Sequence, residues 1–304
     1  MPLDGEQIEA RAAAPFRRNW RRSRLKKVTI AAALAQAVDV LERASVPAPR
    51  LTAEVLLCHA LGADRAFLYA HSTDELSELS SIHFAGYLRE RLAGKPTQYI
   101  TRRQEFYGRD FFVNQDVLIP RPETEHLVGA AIAAVRERGY GRILDVGTGS
   151  GAIAISVALE TGRSVIASDV SLEALRVAER NRATHQAAVV FFAGNLAEAV
   201  RASHLDLLLS NPPYVPATDA ANLQREVRNW EPAVALYGGE SGNEIYASLI
   251  EQAKSAVRSG GQLMLELGYR SVDFVTPRLQ AHWTSIQVLD DLAGLPRVVI
   301  AERR

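Results

Sequence analysis

The segment most informative about chemistry is Asn211-Pro212-Pro213-Tyr214, which follows an apolar run that predicts a buried strand over residues 205–210. Two prolines after a strand end its pairing, and the residue before a proline is held extended. The segment therefore presents an amide side chain and rigid carbonyl groups at the carboxyl end of a strand, where open α/β sheets bind ligands. Asn211 Oδ1 and the Pro212 carbonyl could accept both N–H bonds of a planar, neutral NH2 group, with the Tyr214 ring against its face. The simpler interpretation is a rigid loop that closes a strand.

A second motif has the spacing of a cofactor-binding loop. It lies between a strand predicted over residues 142–146 and a helix that begins at Ala152, and its residues are Gly147, Thr148, Gly149, Ser150 and Gly151. Glycines at such a turn let a ligand approach the backbone and expose N–H groups at the helix start. Roughly 20 residues beyond the loop, Asp169 ends the next predicted strand and could accept both hydroxyls of a ribose. The loop alone would also fit NAD, another nucleotide or a tight turn, but the acid and the Asn-Pro-Pro-Tyr segment make the combination much more specific.

Together these motifs resemble the S-adenosylmethionine-dependent methyltransferases that modify exocyclic or amide nitrogen. The chain from about Thr29 onward resembles one group of them, the release factor glutamine methyltransferases of the HemK/PrmC family. Residues 49–57 are similar to the N-terminal helical domain of that family. Residues 94–100 and 105–108 are similar to its linking hairpin, and residues 118–125 to the entry of its catalytic domain.

The resemblance implies S-adenosyl-L-methionine as the cofactor, held by the glycine loop and Asp169. It also implies that the segment after the third strand, here Asn195 and Leu196, holds the adenine, where many relatives carry an acid followed by an aromatic residue. Asn195 can still accept a hydrogen bond from the adenine amino group. Leu196 can cover the base but cannot stack on it as an aromatic ring would. We expect Asn211 to contact the cofactor as well as the substrate.

The acceptor that the resemblance implies is the glutamine of the Gly-Gly-Gln motif in class I peptide chain release factors, methylated on its side-chain nitrogen, N5. An amide nitrogen is a poor nucleophile because its lone pair is delocalised, and no strong base is needed to remove a proton first. We expect Asn211, Pro212 and Tyr214 to be catalytic through positioning and electrostatic preorganisation. Pro213 would complete the substrate site. Residues 231–236 resemble a family segment that borders this pocket, or they form an ordinary turn.

Composition restricts the class of protein only loosely. The 304 residues suffice for one large or two modest domains, and the formal net charge of +0 argues against gripping a long nucleic acid by charge alone. No apolar run reaches the roughly 18 residues that span a bilayer, so no membrane partner is expected. The single cysteine, Cys58, suits a reducing compartment and predicts a cytoplasmic protein. The seven histidines lack metal-ligand spacing, so no metal is predicted.

Four segments are predicted along the chain. Residues 1–27 form a basic leader that we expect to be disordered, and residues 28–93 form a small helical bundle, for which the resemblance implies a role in recruiting the substrate. Residues 94–120 form a β-hairpin linker, and residues 121–304 form the methyltransferase domain.

The last of these segments predicts an α/β fold, a Rossmann-like seven-stranded methyltransferase sheet with an antiparallel last strand. Helices are expected between the first five strands, and the strands are predicted over residues 142–146, 164–169, 188–193, 205–210, 261–267, 284–290 and 297–302. The segment between the last two strands is too short for a crossover helix, so these strands should pair antiparallel.

Three alternative functions remain open at this point. A sister enzyme that methylates a glutamine of a ribosomal protein would share both motifs. An N6-adenine or N2-guanine methyltransferase would meet the same NH2 group on a flipped base, although no basic insert lies between the motifs. A non-catalytic protein that kept the fold would fail to bind S-adenosylmethionine. We expect a monomer without a direct nucleic-acid substrate.

Overall fold

The structure is a computed structural model that describes residues 28–268 and 270–304. The chain forms two compact units, the first ending at Thr101 and the second beginning at Arg102. The basic leader predicted over residues 1–27 lies outside the described residues. The linker predicted over residues 94–120 spans the division between the units, and the four-segment organisation stays a prediction.

The described part of the first unit is a helical bundle with one apolar core. Its helices are α1 (Ile30–Arg43), α2 (Pro49–Leu61), α3 (Arg65–Ala70), α4 (Glu78–Leu92) and α5 (Thr97–Thr101). The hydroxyl of Thr29 accepts a backbone N–H of the first turn of α1, and Gly62 ends α2 in the left-handed region that favours glycine. Leu41 and Leu56 are fully buried where the helices meet.

The second unit begins with a short hairpin and continues as alternating strands and helices. The hairpin strands are β1 (Gln104–Phe106) and β2 (Arg109–Phe111), and a single 3-10 turn, Pro122–Thr124, precedes the larger elements. The elements that follow are α6 (Glu125–Arg138), β3 (Ile143–Val146), α7 (Ala152–Thr161), β4 (Val165–Asp169), α8 (Leu172–His185), β5 (Val189–Ala193), β6 (Leu205–Ser210), a 3-10 segment (Ala217–Asn222), α9 (Arg225–Trp230), α10 (Ala233–Leu236), α11 (Glu244–Ala256), β7 (Val257–Glu266), α12 (Val272–Leu279), β8 (Trp283–Asp290) and β9 (Pro296–Arg303).

The large strands form one seven-stranded sheet in the order β5-β4-β3-β6-β7-β9-β8. Strands β3 to β7 pair in parallel, and β9 pairs antiparallel with both β7 and β8. The predicted α/β class, the seven strands and the antiparallel last strand are confirmed. Apolar clusters cover both faces of the sheet, as expected for a largely parallel sheet with helices on each side.

The parallel strands all end at the same edge of the sheet. Strands β3, β4, β5, β6 and β7 end at Val146, Asp169, Ala193, Ser210 and Glu266. The loops that follow these strands therefore meet along the edge where open α/β sheets bind ligands.

Two details of the sequence prediction are wrong. Residues 194–204, all described, form turns, whereas a helix was expected between β5 and β6. This connection returns from the outermost strand to the centre of the sheet within few residues, and a helix is too compact to cover that distance. Strand β7 also begins earlier than predicted, at Val257, because α11 passes directly into it and an irregular register against β6 absorbs the added residues.

Candidate active site

The glycine loop has a backbone that L side chains rarely adopt. Gly147, Gly149 and Gly151 have φ values of 71°, 54° and 82°. A Cβ on Gly147 or Gly149 would meet nothing within 4 Å, so the space beside these residues is open to a ligand. A Cβ on Gly151 would lie 2.9 Å from Ile155 Cδ1 and 3.2 Å from the Cβ of Ala178, so this glycine lets α7 pack closely against α8.

Asp169 lies beside this loop, as the sequence predicts. Its Oδ2 accepts the N–H of Gly149 at 2.9 Å, and its Oδ1 accepts the N–H of Ser171 at 2.9 Å. A carboxylate offers about four acceptor positions, so each oxygen keeps capacity for one more donor. This arrangement fits a ribose, whose two neighbouring hydroxyls would each donate to one oxygen.

Asp145, in β3, lies just before the glycine loop and was not among the residues predicted to bind the cofactor. It is fully buried, and its Oδ2 accepts the hydroxyl proton of Thr148 at 2.6 Å. Among the described residues, Oδ1 has no hydrogen-bond partner. Burial raises the pKa of Asp145 to about 7, although the bond from Thr148 opposes the effect.

The segment proposed to hold adenine follows β5. Asn195 is exposed and donates from Nδ2 to Glu198 Oε1 at 2.7 Å, which directs its Oδ1 away from that carboxylate. Leu196 is half-buried with a φ of 53°, and its carbonyl accepts the hydroxyl proton of Ser168 at 3.3 Å. This bond connects the segment to β4, the strand that carries Asp169.

The Asn-Pro-Pro-Tyr segment leaves the end of β6, in the centre of the sheet. Asn211 is half-buried and donates from Nδ2 to Thr124 Oγ1 at 3.1 Å. Pro212 is buried and Pro213 is half-buried. Burial raises the pKa of Tyr214 to about 12, so its phenol stays neutral at physiological pH.

Glycines allow the backbone to pack tightly around this segment. A Cβ on Gly268, after β7, would lie only 2.6 Å from Cδ2 of Tyr214. A Cβ on Gly238 would lie 2.5 Å from the Pro213 carbonyl oxygen, and one on Gly242 would lie 2.4 Å from that of Tyr214. The position of the Tyr214 ring therefore depends on Gly268, and the backbone path of Pro213 and Tyr214 depends on Gly238 and Gly242.

An ion pair joins the entry of the domain to the segment expected to border the pocket. Arg121 donates from a guanidinium nitrogen to Glu231 Oε1 at 2.5 Å, and the Ile119 N–H donates to Glu231 Oε2 at 3.4 Å. Glu231 is buried and its pKa is raised, chiefly by burial and in spite of Arg121. The side chain of Arg121 is 34% exposed, so one face of this pair remains accessible.

Thr124 and Glu266 were not predicted from the sequence as site residues. Thr124 has the position of a helix cap before α6, but its side chain makes no cap hydrogen bond and instead accepts from Asn211. Glu266 ends β7 and is 1% exposed, and burial raises its pKa to about 7. Only the three-dimensional arrangement brings them to the Asn-Pro-Pro-Tyr segment. The hydrogen bond between Thr124 and Asn211 spans 87 positions of the sequence, and Glu266 follows Leu265, which pairs with Ser210.

A metal site and a membrane-spanning helix would each need features that the described residues lack. Within residues 28–268 and 270–304, no group of three or more His, Cys, Asp and Glu side chains could hold a metal ion. In the same residues, no helix is both long enough and apolar enough to cross a membrane.

Comparison with protein families finds matches in both units. A family model described as the PrmC N-terminal domain matches residues 32–101, and one described as the methyltransferase small domain matches residues 130–227.

Comparison with single proteins finds similarity along most of the chain. The release factor glutamine methyltransferase of Koribacter versatilis is 41% identical over 278 residues, which cover 91% of this chain and 99% of that protein. The release factor glutamine methyltransferase of Nitratidesulfovibrio vulgaris is 39% identical over 283 residues, which cover 90% and 95%. A solved methyltransferase from Pyrococcus furiosus has a TM-score of 0.50 over 72% of this chain and 98% of its own, and at 18% identity it shows the fold alone.

Proposed function

The chain belongs to the release factor glutamine methyltransferases, and we propose that it methylates the N5 amide nitrogen of the glutamine in the Gly-Gly-Gln motif of class I peptide chain release factors. It is a methyltransferase, and its second unit, which contains the residues matched by the methyltransferase small domain, would carry the active site. The first unit, matched by the PrmC N-terminal domain, would recruit the release factor. A release factor substrate implies action in the cytoplasm, and we expect the enzyme to act as a monomer.

We assign the methyl donor as S-adenosyl-L-methionine because the loop and acid fit its groups. The open space beside Gly147 and Gly149 would admit the ligand, and the remaining acceptor positions of Asp169 would take its ribose hydroxyls. Asn195 and Leu196 would hold and cover the adenine. When bound, this cofactor supplies a sulfonium-activated methyl group, and its sulfur keeps the electron pair of the broken S–C bond.

The substrate side of the reaction requires orientation and stabilisation of charge. Asn211 Oδ1 and the Pro212 carbonyl would accept the two N–H bonds of the glutamine amide and turn its nitrogen lone pair toward the methyl carbon. The nitrogen becomes more positive as the N–C bond forms, and the two fixed carbonyl dipoles stabilise that charge. One N–H proton then leaves to solvent. Pro213 and the neutral Tyr214 ring would form the walls of the pocket and exclude water.

The observation that supports this function most directly is the hydrogen bond from Asn211 Nδ2 to Thr124 Oγ1. One N–H of the Asn211 amide is thereby donated within the protein, so Oδ1 would be the atom available to accept from a substrate. An NH2 group needs acceptors, and this orientation of Asn211 provides one.

The proposal is tested by incubating the full chain with radiolabelled S-adenosylmethionine and a class I release factor. A release factor with its Gly-Gly-Gln glutamine replaced serves as the substrate control, and a ribosomal protein fraction and RNA are assayed in parallel. We expect label only in the unchanged factor, with Asn211→Ala slowing transfer by about 10²–10³. Asn229→Ala, which changes an exposed asparagine on α9, should have no effect.

The parallel substrates distinguish the alternatives. Label in the ribosomal protein fraction would keep the glutamine chemistry but contradict the release factor as substrate. Label in RNA would contradict the amide acceptor itself. Failure to bind S-adenosylmethionine in calorimetry would contradict the assignment as an enzyme of this class.

A further inference from the structure

We propose that Thr124 is a positioning residue that fixes the orientation of the Asn211 side-chain amide, and that Glu266 fixes the direction of the Thr124 hydroxyl. The inference rests on the proposed function, because it concerns the group that would accept from the glutamine. It adds two residues that do not belong to the Asn-Pro-Pro-Tyr segment.

The orientation of Asn211 needs an explanation because its two ends differ little in shape. An amide side chain can turn by half a rotation and exchange oxygen and nitrogen with little steric cost, so its neighbours decide the orientation. The neighbour of Nδ2 is Thr124 Oγ1 at 3.1 Å, on a side chain only 4% exposed. With that contact intact, Oδ1 points elsewhere and remains an acceptor.

A threonine hydroxyl does not fix this orientation by itself, because it can donate or accept. Had it donated its proton toward Asn211, the amide would turn and present N–H groups to the substrate. A third group must therefore take the proton of the Thr124 hydroxyl. Glu266 can do so, because the register that pairs Ser210 of β6 with Leu265 of β7 places it beside Asn211 at the end of the sheet. Its carboxyl group is buried, and the Thr124 hydroxyl opposes the increase in the pKa of Glu266 that burial causes.

Glu266 is itself held in place at the end of β7. Its backbone carbonyl accepts the hydroxyl proton of Tyr246 at 2.8 Å, and the same Tyr246 oxygen accepts the N–H of Gly268 at 3.1 Å. These bonds hold the backbone that carries the side chain, and a carboxyl oxygen can accept the Thr124 proton whether or not the group is ionised. The Thr124 lone pairs are then directed to Asn211.

The usual role for a threonine at this position is helix capping, and the structure does not show it. Thr124 has helical backbone angles, φ −66° and ψ −19°, and its side chain caps no N–H of α6. Removing its hydroxyl should therefore affect Asn211 far more than the start of the helix.

The test compares Thr124→Val, which keeps the shape of the side chain without the hydroxyl, with Thr124→Ser, which keeps the hydroxyl. We expect Thr124→Val to lower kcat for the release factor by about 10- to 100-fold. Without the hydroxyl, the Asn211 amide could turn and direct its own N–H groups toward the N–H groups of the substrate glutamine, which need an acceptor. The Kd for S-adenosylmethionine should change little, and the melting temperature should fall by no more than the several degrees that loss of one buried hydroxyl group costs. Thr124→Ser should restore kcat to within a few-fold of the unchanged enzyme.

A second readout does not depend on the substrate. The side-chain NH2 resonances of Asn211, assigned in ¹⁵N–¹H spectra by their loss in Asn211→Asp, should show one N–H proton shifted by its hydrogen bond. This signature should persist in Thr124→Ser and disappear in Thr124→Val. Unchanged resonances in Thr124→Val, or a Thr124→Ser enzyme as slow as Thr124→Val, would overturn the inference. Failure of the unchanged enzyme to methylate any release factor would instead contradict the proposed function, and the spectra would still test Thr124.

Discussion

The backbone N–H of Gly149 donates to Oδ2 of Asp169 at 2.9 Å, so the glycine loop and the acid that ends β4 form one connected unit. The other oxygen of Asp169 accepts the N–H of Ser171 at the start of α8. Both carboxylate oxygens are therefore needed to hold the loop and the helix in place before any ribose hydroxyl arrives. An acid at this position has a structural and a binding role at once.

Asp169→Asn should weaken cofactor binding. An amide has only one acceptor oxygen, which cannot serve two backbone N–H groups and the ribose hydroxyls together. We expect the Kd for S-adenosylmethionine to rise by about 10- to 100-fold, the cost of a lost charge-assisted hydrogen bond. Titration calorimetry measures this directly. Glu173→Gln, on the exposed face of α8, is the matched control and should bind normally. Equal affinity of Asp169→Asn and the unchanged enzyme would remove Asp169 from the cofactor site.

Gly268→Ala should displace Tyr214. The added Cβ would lie 2.6 Å from Tyr214 Cδ2, a distance that requires the ring or the backbone to move. We expect a loss of about 1–3 kcal/mol in the free energy of unfolding and a fall in kcat. Urea denaturation and the methylation assay measure the two effects. Gly129→Ala is the control, because an added Cβ at this helical position would meet nothing within 4 Å. Its free energy of unfolding should rise by about 0.5–1 kcal/mol. A fully active Gly268→Ala enzyme would show that the placement of Tyr214 is unimportant.

Prediction from sequence succeeded where the signal is local. Apolar runs identified the strands of the sheet, and the short segment before Pro296 predicted the antiparallel pairing of β8 and β9. The glycine loop and Asp169 were recognisable because their spacing follows from one strand, one turn and one helix. The turns over residues 194–204 were mistaken for a helix, since helical preference says nothing about the distance that a connection must cover.

Contacts between distant parts of the chain could not be predicted in this way. Thr124 has the sequence context of a helix cap, and nothing near it indicates a hydrogen bond to Asn211. Glu266 ends an apolar strand, where a carboxyl group would ordinarily be exposed to solvent. Their role depends on the neighbourhood of β6 and β7 in the sheet, which is a property of the topology.

Glu266→Gln should change how stability depends on pH. Burial is the main reason that the pKa of Glu266 rises from 4.5 to about 7 in the folded protein, so the folded state binds this proton more tightly than the unfolded chain. The contribution of Glu266 to stability is therefore complete below pH 4.5 and is lost as the pH rises through 7. Relative to the unchanged protein, Glu266→Gln should gain roughly 3 kcal/mol between these limits.

Urea denaturation of both proteins at pH 5, 6, 7 and 8 measures this gain as a difference. Asp145 titrates in the same range in both proteins, so its contribution cancels. A pH-independent difference between the two proteins would show that Glu266 does not retain its proton on folding.

Asn181→Leu should weaken both the fold and cofactor binding, because Asn181 connects the hairpin to the glycine loop. Its Oδ1 accepts the Phe112 N–H at 2.7 Å, and its Nδ2 donates to the carbonyls of Phe112 at 3.0 Å and Ser150 at 2.8 Å. The side chain is 1% exposed, so leucine would leave three backbone groups without these partners, at about 1–3 kcal/mol each.

We expect urea denaturation to show a loss of several kcal/mol and calorimetry to show weaker binding of S-adenosylmethionine, since Ser150 belongs to the loop. Arg182→Gln, which removes an exposed ion pair one position away on α8, should change stability by less than about 1 kcal/mol. If Asn181→Leu were destabilised but bound the cofactor with unchanged affinity, the loop would hold its shape without Asn181. The hydrogen bond to the Ser150 carbonyl would then stabilise the fold alone, and the hairpin and the cofactor site would be energetically independent.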